Sequence, residues 1–112
     1  MVKEINKDVF IDDKNISNQS NNFKKNTIIE FYQKTCPHCI AMVKTYDDLS
    51  EEFPDIDFLK IDITENFELA KQFNIDATPT FIFFPLKNKY LINVGGMNKT
   101  DFKQKIKHVF SL

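Results

Sequence analysis

Cys36 and Cys39 are the only two cysteines of the chain, and they stand together as Cys36-Pro37-His38-Cys39. A lone pair at this spacing suits a disulfide that opens and closes rather than one that staples a fold. The chemistry on offer is thiol–disulfide exchange, in which one thiolate attacks a disulfide and the second thiol displaces the mixed disulfide that results. A protonated His38 beside the first sulfur would add to its acidity.

Exchange of this kind needs two unlike sulfurs, so the neighbouring elements must set them apart. Thr27 to Tyr32, TIIEFY, is β-branched and aromatic and reads as a buried strand. Gln33 to Thr35 is a short polar connection, and Pro37 suits a first helical position, where its missing N–H costs nothing. Cys36 then falls at the helix N-cap. Cys39, Met42, Tyr46, Leu49 and Phe53 recur at spacings of three and four and share one inward face. Cys36 is therefore expected to face outward, among unpaired N–H groups and the positive end of the helix dipole. That dipole contributes roughly 0.3–2 kcal/mol, enough to bring a thiol from about 8.5 to near neutrality. Cys39 becomes the shielded, resolving thiol.

Composition narrows the alternatives. The chain has 112 residues, 42% of them hydrophobic and 12 of them Phe, enough for one domain with its own core. Residues 27–110 carry that core, and residues 1–26 form a poorly defined N-terminal segment. The balance of 15 basic against 16 acidic residues gives no electrostatic case for a nucleic-acid or membrane partner. All the Lys+Arg residues are Lys, which removes any bidentate Arg clamp. No apolar run approaches the ~20 residues of a membrane span, and MVKEINKDVF lacks a signal-peptide hydrophobic region, so the expectation is a cytoplasmic protein. Zinc would need four ligands, of which one C-x-x-C supplies two; His38 cannot reach the same ion, and His108 falls on the final helix. Ile40 stands where a haem-attachment motif needs His. Neither a metal nor an organic cofactor is expected.

Along the rest of the chain, Val2 to Ile5 reads as an edge strand, and Val9, Phe10 and Ile11 as a strand or a helical turn. KNISNQSNNFKKN reads as a solvated connection or a frayed helix carrying Phe23 as an anchor. Ile56 to Ile63 reads as a second central strand. Glu65 to Phe73 reads as a helix through Phe67, Ala70 and Phe73, which makes a parallel crossover of what precedes it. The run IDATPTFIFFP gives a further strand, opened by Thr78-Pro79. Lys87-Asn88 turns the chain, and Lys89 to Val94 can return antiparallel. Gly95 and Gly96, the only two glycines, end it. Asn98 caps a last helix with Phe102, Ile106 and Val109/Phe110 as its apolar stripe.

Taken in order, EFYQKTCPHC, LKIDITEN, ATPTFIFF and VGGMNKTDF resemble the thioredoxin family from Thr27 to Phe110. The resemblance implies an α/β thioredoxin fold, with a central mixed sheet of four to five strands flanked by helices. It implies Cys36 as attacking thiolate and Cys39 as resolving thiol. Glu30 stands where thioredoxins carry a buried Asp that relays the second cysteine's proton, and Lys60 where they carry that acid's partner. Pro79 matches the family's cis-proline, next to Thr78, whose backbone would pair with an extended substrate. Gly95 matches a glycine that lets substrate approach closely.

The departures lie at Thr35, in place of tryptophan; at Lys44, in place of a mid-helix proline; at Glu30, one methylene longer than Asp; and above all at Pro37-His38. That dipeptide resembles the bacterial periplasmic disulfide oxidases, although no room exists here for their helical insertion, and a His before the second cysteine also occurs in protein disulfide isomerases. The expected activity is protein dithiol–disulfide exchange, more oxidising than ordinary thioredoxins. The expected protein is a monomer that draws on a partner reductase or glutathione. A disulfide oxidase or isomerase in an oxidising compartment or on an assembling particle, and a non-catalytic thioredoxin-like binding module, remain as alternatives.

Overall fold

The computed structural model describes residues 1–10 and 23–112. Five strands and three helices follow in the order β1 (Val2–Ile5), β2 (Thr27–Tyr32), α1 (Pro37–Glu52), β3 (Asp57–Asp62), α2 (Phe67–Gln72), β4 (Thr80–Phe84), β5 (Leu91–Val94) and α3 (Lys99–Val109), with a 3₁₀ turn at Lys7–Phe10. The strands form one mixed sheet in the order β1-β3-β2-β4-β5. β3 pairs parallel with both β1 and β2, while β4 runs antiparallel to β2 and β5.

Alternation along the central strands divides the core in two. Ile28, Phe58 and Phe81 face α1 and α3, which return Met42, Tyr46, Leu49, Phe102 and Ile106. Ile29, Phe31, Leu59, Ile61, Ile82 and Phe84 face α2, which returns Leu69, with Phe73 just beyond it. β2 and β4 are buried along their whole length, as strands covered on both faces must be. Phe81 and Phe102 meet edge to face at 4.9 Å, which ties α3 to the middle of the sheet. The Tyr46 hydroxyl lies 2.8 Å from the Leu59 carbonyl and 3.1 Å from that of Ile28, so one buried phenol bridges β2 and β3.

At the start of α3 the Asn98 Oδ1 accepts from the Asp101 N–H at 2.8 Å, the cap expected there. α2 differs from its reading. Phe67 is 65% exposed, and Leu69, Ala70 and Phe73 supply the inward face. Phe67 precedes Leu69 by two positions, which at about 100° per residue turns it to the opposite side, where it lies under the Lys71 ammonium. Phe23 packs on Phe84 with ring centres 5.2 Å apart. Ile11 and the Asn-rich stretch as far as Asn22 lie outside the described residues. Among the described residues, no helix is long and apolar enough to cross a membrane.

Candidate active site

β2 ends at Tyr32, and the Gln33–Thr35 connection closes with the Cys36 N–H donating to the Gln33 carbonyl at 3.2 Å. This turn sets Cys36 in extended backbone at the N-cap of α1, with Pro37 in the first turn. The Cys36 sulfur then takes the place of a capping oxygen, accepting from the Cys39 N–H at 3.2 Å. As a thiol it also reaches the Thr78 carbonyl, at 3.4 Å.

The two sulfurs are unlike. Cys36 is partly exposed and Cys39 is buried, and both are free thiols. Burial pushes the Cys36 thiol up. Hydrogen bonds from the Cys39 and Thr78 side chains and from the Cys39 and His38 backbone outweigh it, so the thiol is lowered. Burial and the neighbouring Cys36 sulfur push the Cys39 thiol up to about 11. One sulfur is thus primed for attack while the other keeps its proton until that proton is removed.

Across from Cys36 the Thr78–Pro79 bond is cis and Pro79 is buried. The Thr78 hydroxyl meets the Gln33 side-chain oxygen at 3.3 Å, which links the loop before Cys36 to the loop before β4. The Gly95 N–H donates to the Pro79 carbonyl at 2.8 Å. Gly95 has a φ of +94°, a conformation only glycine adopts without strain, and the space where a Cβ would stand is open. His38, Met42, Thr78, Pro79, Gly95 and Met97 line a groove of about 460 Å³, joined to the Cys36 sulfur through Thr78. The His38 imidazole is exposed on its rim, and the His38 backbone N–H is the group that reaches Cys36. The exposed Pro37 stands on the outer side of the same turn.

Glu30 lies in the middle of β2 and is 4% exposed. Burial raises its pKa from 4.5 to about 7, against the pull of the Lys60 charge and with a push from Glu4. Lys60 is beside Glu30 in the register of β2 and β3, yet its ion pair, at 3.9 Å, is with Glu4 on β1. The expected Glu30–Lys60 pair is therefore replaced, among the described residues, by a longer-range attraction. The sequence reading missed Glu4, Tyr32 and Gln33. A short edge strand gives no local sign that one of its charges will lie in register with a buried acid, and only the strand pairing exposes it. Among the described residues, no group of three or more His, Cys, Asp or Glu side chains is placed to hold a metal ion.

A primed sulfur at a helix N-terminus, a buried thiol one turn behind it and a groove alongside define the working end of a protein thiol–disulfide oxidoreductase. Residues 7–108 match the family profile described as Thioredoxin, and the chain belongs to that family. A thioredoxin from Geodia cydonium is 35% identical over 83 residues, 74% of this chain and 78% of that protein. The crystal structure of a thioredoxin from Nicotiana alata superposes with a TM-score of 0.77 at 26% identity, covering 96% of this chain and 90% of that one. A thioredoxin from Trypanosoma brucei brucei matches in fold, with a TM-score of 0.78 at 21% identity, over 100% and 93% of the two chains.

Proposed function

We propose that this thioredoxin-family enzyme exchanges dithiols and disulfides with protein substrates at a potential more oxidising than that of ordinary thioredoxins. The observation that carries the reading is the Cys36 sulfur held 3.2 Å from the Cys39 N–H at the head of α1, with Cys39 buried behind it. Whatever stabilises the Cys36 thiolate stabilises the dithiol over the disulfide, and about 30 mV in potential corresponds to tenfold in the exchange constant. The Pro37-His38 dipeptide supports the same direction, since the His38 backbone N–H donates to the Cys36 sulfur and helps to hold its thiolate.

In the forward reaction the Cys36 thiolate attacks a substrate disulfide, and one substrate sulfur leaves as a thiol. The extended substrate segment lies along Thr78, Pro79 and Gly95. Cys39 gives up its proton and attacks the Cys36 sulfur. The Cys36–substrate bond breaks, the Cys36–Cys39 disulfide forms, and the substrate has gained two electrons. Glu30 takes the Cys39 proton, a role supported by its burial and by a pKa raised to about 7. The enzyme acts as a monomer, and a partner reductase or glutathione returns the electrons.

A redox titration of the Cys36–Cys39 pair against glutathione tests the reading. A potential above the value of about −270 mV typical of thioredoxin is expected, falling when His38 is replaced by Pro. A value at or below that figure would overturn the claim of a more oxidising pair.

A further inference from the structure

Three parallel strands place three charges in one row. Glu4 on β1 is in register with Lys60 on β3, and Lys60 is in register with Glu30 on β2. In-register residues of neighbouring parallel strands project from the same face of a sheet about 4.8 Å apart. Lys60 thus stands between two carboxylates and can turn to either one.

It turns to Glu4. Its ammonium is 3.9 Å from the Glu4 carboxylate and lies over the Tyr32 ring at 5.2 Å. The Tyr32 hydroxyl is 2.6 and 2.8 Å from the two Glu4 oxygens, a single proton shared between them. Glu4 is half exposed on the wall of a polar hollow of about 440 Å³ that also holds Lys34, Asp62 and Glu65. Among the described residues, the Glu30 carboxyl has neither a hydrogen-bond donor nor an ion-pair partner within 4 Å, although Glu30 is the most buried of the three.

We propose that Glu4 is a positioning residue for the proton-transfer step of disulfide release: with Tyr32 it holds Lys60 away from Glu30 and so keeps Glu30 basic enough to take the Cys39 proton. This rests on the relay role given to Glu30 above. The chemistry favours a stronger base because the Cys39 thiol is itself a weak acid, and transfer to a base of ordinary carboxylate strength would run further uphill. An ammonium paired with Glu30 would create that weaker base. A lysine beside a carboxylate lowers its pKa by about 1–3 units, and removing the Glu4 charge acts in the same direction.

Among the described residues, the groups that face Glu30 are few. Lys60 and, one register step further, Asp62 come from β3; Glu4 comes from β1; and Tyr32 stands on β2 itself. α1 contributes the buried Tyr46 phenol, whose own pKa is raised by burial and by Glu30, and carries Cys39 on the same inward stripe. From β4 the neighbour in register is the apolar Phe81.

The test uses the reduced full chain, with the Glu30 carboxyl followed by carbon-13 NMR across pH and substrate release followed by rapid mixing. In Glu4→Gln, which keeps the side chain's shape on an edge strand, the Glu30 midpoint is expected to fall by about one pH unit or more. The pH profile of release is expected to move with it. In a Lys60→Met background the same change should shrink by at least half, because the ammonium that Glu4 restrains is gone. An unmoved Glu30 midpoint in Glu4→Gln, or an undiminished shift in the Lys60→Met background, would overturn the proposal. Glu30→Gln separates the two claims. If it leaves release and its pH profile unchanged, the relay itself is wrong and Glu4 has no part in release. If it slows release while Glu4→Gln leaves the midpoint in place, only the role of Glu4 is wrong.

Discussion

Replacing Glu30 by Gln is expected to make the protein more stable at neutral and alkaline pH and to leave acid stability nearly unchanged. The folded-state pKa of Glu30 is about 7 against 4.5 for the free group, so between these values the folded chain holds a proton that the unfolded chain has lost. For a raised carboxyl pKa, stability is highest below the unfolded value and falls as pH rises through the folded one. The gap of 2.5 units (7 minus 4.5) at about 1.36 kcal/mol each amounts to a loss of about 3 kcal/mol by pH 8. Glutamine does not titrate and suffers no such loss. Urea denaturation of both proteins in the dithiol form, at intervals from pH 4 to 8.5, gives the difference curve directly. The account predicts a difference that is flat below about pH 4.5, climbs by about 3 kcal/mol through the window to pH 7 and then levels off. Contributions of the two cysteines cancel between the proteins. A difference that stays constant across the range would show that Glu30 is not a buried, raised carboxyl, and the relay argument would lose its base.

Other outcomes follow from single contacts. Tyr46→Phe removes the donor shared by the Ile28 and Leu59 carbonyls and is expected to cost about 1 kcal/mol or more in urea denaturation, with both cysteines still reactive. Asn98→Ala should cost about 1 kcal/mol by uncapping α3, a loss that Asn98→Ser or Asn98→Asp largely avoids. Gly95→Ala is expected to cost about 1–2 kcal/mol through its positive φ, while Cys36 alkylation proceeds at an unchanged rate because the space above Gly95 is open. No measurable loss in that variant would mean that the backbone there relaxes freely.

Much of this arrangement is legible in the chain because local rules and long-range packing agree. The TIIEFY run, Cys36 as cap, Pro37 in the first turn and the stripe from Cys39 to Leu49 each follow from a local preference, and α1 gathers them into one site. Asn98 and the stripe of α3 are read in the same way. Where the reading slipped, the local signal was weak. α2 is only six residues long, so Phe67, Ala70 and Phe73 at spacings of three resembled a stripe that Leu69 in fact shares with Ala70 and Phe73. The partner of Lys60 was illegible for a different reason. The choice between Glu4 and Glu30 depends on which strand lies on each side of β3 and on where the Tyr32 hydroxyl points, and neither is written near Lys60. Tyr46 read correctly as core, but periodicity reports its ring and says nothing of the two carbonyls its hydroxyl would meet.

The central claim is the inequality of the two sulfurs, and alkylation of the reduced chain by iodoacetamide from pH 5 to 10, mapped to each cysteine by mass, measures it most directly. Cys36 is expected to react first, with a midpoint below the value of about 8.5 of an ordinary thiol. Cys39, its thiol pushed up to about 11, should stay unmodified over most of the range. Two cysteines reacting together, with a common midpoint above pH 8, would contradict the account.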